Sequence, residues 1–413
     1  MKRYIAVFLL LMMCFTPSRA YAAGDEVPND TELTMESDDL DVDAEAFLST
    51  ETVAGGAIDV SSPCAILIEK ETGEVLYEKN ADEKREPASV TKVMTELLIV
   101  EALDSGRIAL DDMVTTSQYA SSMGGSQVFL KEGEQLTVRD MLKAIVISSA
   151  NDAAVAMAEH LAGSEQAFAA QMNARANDLG MTNSHFTNAS GLLDNTEHYT
   201  TARDIALMSR ELIRHDAIKE FTTIWTDSLR DGAFGLANTN QLVRYFNGAT
   251  GLKTGFTSRA GYCLSATAMR DGVEYISVTL GDATSKARFE SARALLTYAF
   301  AHYTLINSGP DEVLQPIPVE LGKQGFVQPE PAVTGRILIP REIANSVVRY
   351  VDVAPSLMAP VQEGDVVGRV LITAGDRTIG EVQLLATQSS ERLNIFEIFA
   401  RMFGMLFTTP IDS

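Results

Sequence analysis

Cysteine is scarce in this chain, with three residues among 413. That excludes a disulfide-dense fold. The five histidines (His160, His185, His198, His215, His302) are scattered, with no HExxH or CxxC spacing, so no resident metal is expected. Basic residues are outnumbered, 33 Lys and Arg against 56 Asp and Glu, for a formal charge of −23. A field of that sign repels phosphate backbones and argues against a nucleic-acid partner. The N-terminal apolar run, Tyr4 to Phe15, is too short to span a bilayer.

What is present is enough for two or three domains with real cores: 46% of residues are hydrophobic and only 22% charged. Lys2 and Arg3 precede the Tyr4–Phe15 run, and Ala20-Tyr21-Ala22 follows it as a small-x-small cleavage site. Residues 1–22 thus read as a secretory signal peptide, which places the mature protein outside the cytoplasm. A lipoprotein signal through Cys14 is opposed by the bulky Met12 and Met13. Residues 23–57 hold eleven acidic residues between Gly24 and Gly56 and no Lys or Arg. Such a run self-repels and buries little, so it reads as a flexible acidic leader. Cys64 and Cys263 both sit in strand-like runs. Buried thiols are favoured over a bridge, and the sequence leaves both open.

A folded unit begins near Ile58. Cys64–Glu69 and Glu74–Lys79 read as strands around a Thr72-Gly73 turn. Ser89 to Leu103 has near-helical apolar spacing, and Gly106 stops it. Leu136–Leu161, Glu165–Leu179 and Thr201–Arg214 read as further helices. Gly261–Met269 and Glu274–Leu280 flank Asp271-Gly272, a hairpin signal. Ser285–Tyr303 returns to helix. This order predicts one antiparallel sheet with strands from both ends and an inserted helical lobe. From Gly309 prolines and Gly-Asp turns break the chain into short strands, so 309–390 reads as a small β-sandwich-like domain. In 391–413, Ile395, Ile398, Phe399, Met402 and Leu406 share one face of a helix. That face either lies in a membrane interface, the favoured reading, or packs on its own domain.

Three motifs carry chemistry. In Pro87-Ala88-Ser89-Val90-Thr91-Lys92, serine and lysine are three apart and share a helix face. A serine hydroxyl needs a base, and lysine can be one only if burial or a second cation lowers its pKa. Alone, SxxK occurs by chance in a chain this long. Ser149-Ala150-Asn151 lies in an otherwise apolar stretch and by itself reads first as a turn or cap between helices, and only second as a functional motif. Lys253-Thr254-Gly255 leads into a strand. There a lysine and a hydroxyl suit carboxylate binding, and the glycine suits close approach of a substrate backbone.

SxxK, SxN and KTG in this order are the signature set of active-site-serine, penicillin-recognising enzymes. The chain resembles the D-alanyl-D-alanine carboxypeptidases among the low-molecular-mass penicillin-binding proteins. PASVTKVMTELLIVEAL, FLKEGEQLTVRDMLKAIVISSANDAAVAMAEHLAGSE, MNARANDLGMTNSHFTNASGL, HYTTARDIALMSREL and TGLKTGFTSRAGYCLSATAMRDG carry the likeness, over roughly Ile58 to Ser308. The resemblance implies an α+β fold, β-lactamase/transpeptidase-like over 58–308, then the small all-β domain and a C-terminal amphipathic, membrane-anchoring helix. It implies a serine-type hydrolase that removes the terminal D-alanine from peptidoglycan pentapeptide stems, with β-lactam antibiotics as covalent inhibitors and no cofactor. Its implied location is the outer face of the bacterial cytoplasmic membrane. Ser89 would be the nucleophile and Lys92 its base. Ser149 would pass a proton to the departing amine, with Lys253 nearby to help hold Lys92 neutral. Asn151 would bond the substrate amide. Lys253 and Thr254 would bind the terminal carboxylate, with Arg288 joining them by its spacing in KARFE. The backbone N–H groups of Ser89 and Phe256, the latter following Gly255, would form the oxyanion hole. Ala150, Thr250 and Phe256 depart from frequent family residues and bear on substrate preference.

Three rival readings share the fold. A class A-like β-lactamase needs a glutamate for deacylation, and no glutamate lies between Asn173 and Asn195. A non-catalytic cell-wall binding protein is opposed by three intact motifs. A DD-endopeptidase differs in needing no free carboxylate.

Overall fold

The computed structural model describes residues 58–192 and 196–408. The signal peptide and the whole acidic leader, residues 1–57, lie outside the described residues. The N-terminal hairpin is β1 (Cys64–Glu69) and β2 (Val75–Lys79), turned at Gly73 with φ +74°. One turn of 3-10 helix, Ala88–Thr91, then leads into α1 (Lys92–Asp104). Ten residues of α1 are buried, so it is a central helix without a solvent face of any width.

The expected helix over Leu136–Leu161 is two helices, and this is a correction. A short strand covers Gln135–Thr137, α2 spans Val138–Ser148, and α3 spans Asn151–Ala162. Ser149 breaks the run in the left-handed region, φ +61°. The apolar pattern runs through the break because both helix ends are buried. Next come α4 (Glu165–Asp178) and α5 (Ala202–Leu212). Thr137, Ser164 and Thr201 cap α2, α4 and α5 by accepting a backbone N–H three residues on.

Three long strands follow: β3 (Ala249–Thr257), β4 (Gly261–Arg270) and β5 (Val273–Asp282). Asp271-Gly272 turns between the last two, as the sequence predicts. The sheet order is β2-β1-β5-β4-β3, antiparallel throughout, so the first hairpin docks against the last strand. Both faces are covered, which explains the unbroken apolar run CAILIE in β1. Cys64, Ile66 and Ile68 face the helices, while Ala65 and Leu67 face α6 (Ser285–His302). Cys64 and Cys263 are buried free thiols.

The β-rich part begins directly after α6. β6 (Tyr303–Asn307) pairs with β7 (Arg336–Pro340). β8 (Val347–Val353), β9 (Val366–Ala374) and β10 (Arg377–Ala386) form a sheet with Pro329–Pro331. Its own core holds Ile317, Val319, Val327, Val370, Ile372 and Leu384. Arg336 ties it to the first unit through Glu71 and the Gly272 carbonyl. The last helix, α7, spans Ile395–Thr408. Asn394 and Glu397 cap it reciprocally, each side chain accepting the other's backbone N–H. Arg401 donates to the Gly322 carbonyl at 3.0 Å, while Ile395, Phe396, Phe399, Met402 and Phe403 stay exposed. Among the described residues no helix is long and apolar enough to cross a membrane.

Candidate active site

Ser89 sits in the 3-10 turn just before α1, half-exposed where its neighbours are buried. Ala88 before it has φ +49°, an uncommon conformation for a residue with a side chain. Lys92 is fully buried. Its Nζ lies 3.0 Å from Ser89 Oγ, 2.6 Å from Asn151 Oδ1 and 2.9 Å from the Ser190 carbonyl. Burial first, and then the neighbouring Lys253 charge, hold the Lys92 amine well below the usual lysine range.

The break between α2 and α3 brings the second motif to this point. Ser149 is buried at the break, and Asn151 opens α3 with its side chain on Lys92. Asn151 Nδ2 also donates to the Gly124 carbonyl at 2.8 Å. The third motif comes from β3. Lys253 is 1% exposed and donates to the Thr254 carbonyl. Burial, opposed by Glu96 and aided by Arg288, brings its pKa down to about 8. Thr254 Oγ1 donates to Thr239 Oγ1 at 2.7 Å. At Gly255 the close approach is to the chain's own backbone. A Cβ there would lie 2.7 Å from the Pro87 carbonyl oxygen and 3.1 Å from Ser89 N. The missing side chain lets β3 lie against the nucleophile's turn. Phe256 is exposed and stacks on Tyr262, ring centroids 4.2 Å apart. Arg288, on α6, is nearly buried and donates to the Gly255 carbonyl at 3.1 Å.

Four contributors were not singled out in the sequence. Ser190 supplies its carbonyl to Lys92. Its loop is folded by Asn188 Oδ1, which accepts from the N–H groups of Ser190 and Gly191. Gly191, φ +73°, packs so tightly that a Cβ would fall 1.9 Å from the Ala88 carbonyl oxygen. The Asn188–Gly191 spacing was a visible turn signal. Thr239 anchors Thr254, and its own N–H bonds to Ile147 of α2. Nothing local in the sequence marks it.

The comparisons with known proteins bear on this geometry. A family model described as D-alanyl-D-alanine carboxypeptidase matches residues 50–284, and one described as penicillin-binding protein 5, C-terminal domain, matches 301–392. The chain is 39% identical over 345 residues to D-alanyl-D-alanine carboxypeptidase DacF of Bacillus subtilis, covering 82% of this chain and 88% of that one. It is 35% identical to DacC of Escherichia coli, covering 85% and 89%. Among solved structures, penicillin-binding protein 5 from Haemophilus influenzae is similar with a TM-score of 0.72 at 28% identity, covering 82% of this chain and all of that one. Penicillin-binding protein D2 from Listeria monocytogenes, solved in the ampicillin-bound form, is 34% identical over 59% of this chain and all of its own, TM-score 0.55. Fold and likeness together define a serine hydrolase of the penicillin-binding class, α+β with an appended β domain. The chain belongs to the D-alanyl-D-alanine carboxypeptidase family.

Proposed function

We propose that Ser89 attacks the peptide bond between the two terminal D-alanines of a peptidoglycan pentapeptide stem, giving an acyl-enzyme that water hydrolyses. The contact that carries this reading is Lys92 Nζ on Ser89 Oγ at 3.0 Å. A neutral amine has two N–H groups and one lone pair. Its partners are the Asn151 oxygen, the Ser190 carbonyl and the Ser89 hydroxyl. The first two only accept, so they take the two N–H groups. The lone pair is left for the one partner that can donate, Ser89, which is the polarity a general base requires.

Ser149 passes a proton to the departing amine. Asn151 has one amide hydrogen beyond its bond to Gly124 and offers it to the substrate amide. Lys253, Thr254 and Arg288 bind the terminal carboxylate by charge-assisted bonds. The N–H groups of Ser89 and Phe256 stabilise the oxyanion. β-Lactams acylate the same serine. They leave slowly, since no glutamate lies between Asn173 and Asn195 to activate water. We assign export to residues 1–22, catalysis to 58–308 and a supporting role to 309–390. The helix within 391–413 lies on the outer face of the cytoplasmic membrane. Two observations support that placement: its apolar residues are exposed, and Arg401 on the other side is tied to Gly322.

The test is release of D-alanine from a pentapeptide ending in D-Ala-D-Ala, with a β-lactam mass adduct mapped to the Ser89 peptide. Lys92→Arg should lower acylation by about 10²–10⁴, because guanidinium stays protonated. Release by Ser89→Ala at the parent rate, or an adduct elsewhere, would refute the assignment.

A further inference from the structure

Glu96 lies one helical turn beyond Lys92 on α1 and is 1% exposed. Its Oε1 is buried with no hydrogen-bond partner among the described residues. A carboxylate in such a place is costly unless cations offset it. The charges acting on it are Lys253 of β3 and Lys92 of its own helix. Asp152 also acts on Lys92, and Arg288 on Lys253. Both of these have other partners. Asp152 accepts from the backbone N–H groups of Val128, Leu130 and Ala153, and Arg288 donates to Gly255 and Ser285. From α5, which packs along α1, Ser209 is bonded to Ser265 of β4 at 2.8 Å. Glu96 is thus a buried carboxyl under the influence of two buried lysines, and the roles proposed above need those lysines in opposite charge states. Lys92 must be neutral to accept a proton, and Lys253 must be charged to bind a carboxylate.

We propose that Glu96 is a positioning residue for this lysine pair: its carboxylate keeps Lys253 charged, and the charge on Lys253 in turn opposes a second charge on Lys92. Packing alone does not call for it, because methionine or glutamine would fill the same volume on the helix without a charge. The titration behaviour agrees. Burial raises Glu96 to about 7, and its charge is the largest influence holding Lys253 up against burial. The inference rests on the roles proposed above for the two lysines.

The sign follows from Coulomb attraction. A carboxylate nearby favours the protonated form of each lysine, so its removal lowers both lysine pKa values. The acid limb of the kcat/KM profile reports Lys92 losing its proton, and the alkaline limb reports Lys253 losing its own. In Glu96→Gln both limbs should move toward lower pH by at least half a unit. Glu96→Asp keeps the charge and should restore them toward the parent. The profile is read by D-alanine release from the pentapeptide and by the rate of acylation with a fluorescent penicillin. Glu96→Met is a second neutral variant without polar atoms, and whichever neutral variant folds decides. Limbs superimposed on the parent's in a folded neutral variant would overturn the inference. Infrared spectra of the parent add a direct readout: the Glu96 carboxylate band, missing in Glu96→Gln, should be present wherever the enzyme is active, and a Glu96 carboxyl protonated throughout that range would also overturn the inference. A parent that releases no D-alanine at any pH would instead defeat the carboxypeptidase reading, so the two failures are distinguishable.

Discussion

His198 fixes the backbone that carries the nucleophile. Its ring is 2% exposed, and Nδ1 accepts the Thr187 N–H at 3.1 Å. Nε2 therefore bears the proton and donates to Thr91 Oγ1 at 2.8 Å, and Thr91 in turn donates to the Ala88 carbonyl at 2.8 Å. The chain ends on the residue held at φ +49° beside Ser89. Burial, with a smaller contribution from His185, pushes His198 down to about 4. The unfolded chain takes up this proton near pH 6.5, the folded one only near 4. Stability is therefore complete above about pH 6.5 and is lost as pH falls toward 4, by on the order of 3 kcal/mol. Urea unfolding at pH 7 and pH 4.5 should show a larger loss in the parent than in His198→Gln. Equal losses would remove His198 from the account. A histidine of this kind is invisible in sequence, where a buried, bonded ring and a surface ring look alike. Glu96 is hidden for the same reason, since a charged residue in an apolar helix is ordinarily a solvent-facing one.

At the scale of elements, the signals that survived were those of local chemistry. The Asp271-Gly272 turn and the SxxK spacing each act within a few residues. The sheet's order was legible only as strands at both ends of a helical stretch. Apolar periodicity missed the α2–α3 boundary, because the positions that bury both helix ends conceal the break, and only the turn-or-cap reading of Ser149-Ala150-Asn151 marked it. The short strand pairs at 113–137 and 226–237 were missed too, although Asp231-Gly232 is a turn signal at the second. Ser190 and Thr239 reach the site from separate loops, which no local pattern reveals. The break has a testable cost. A serine at φ +61° is strained by roughly 1 kcal/mol relative to glycine. Ser149→Gly should melt no lower than the parent, and up to a few degrees higher, while losing at least tenfold in D-alanine release because the hydroxyl is gone. A variant of full activity would exclude Ser149 from proton transfer. A variant that melts well below the parent would mean that the hydroxyl, not the backbone, stabilises the break.

For the molecule as a whole, a strongly acidic chain carries an exposed apolar face on its last helix. The net charge of −23 disfavours electrostatic attraction to anionic lipids. α7 has one acidic and one basic residue, Glu397 and Arg401, and its exposed face is aromatic and aliphatic. Attachment through this helix should therefore resist salt. The parent should sediment with neutral and anionic liposomes at both low and high ionic strength, and a chain ending at Leu393 should stay in solution while still acting on small peptides. Salt-dependent release, or sedimentation of the shortened chain, would argue for another mode of attachment.

The strand order also sets a sequence of events in time. β1 cannot be an inner strand until β5 exists, and Ser62 beside it donates to Asp282, 220 positions later. Closing so long a loop is slow, and it must follow synthesis of almost the entire catalytic unit. Lys253 and the Gly255 backbone likewise reach Ser89 only when β3 has docked. In a chain secreted as proposed, the serine therefore crosses the membrane without its cationic neighbour. On that proposal the nucleophile would become competent only at the close of folding, with the polypeptide already on the side where its proposed substrate lies.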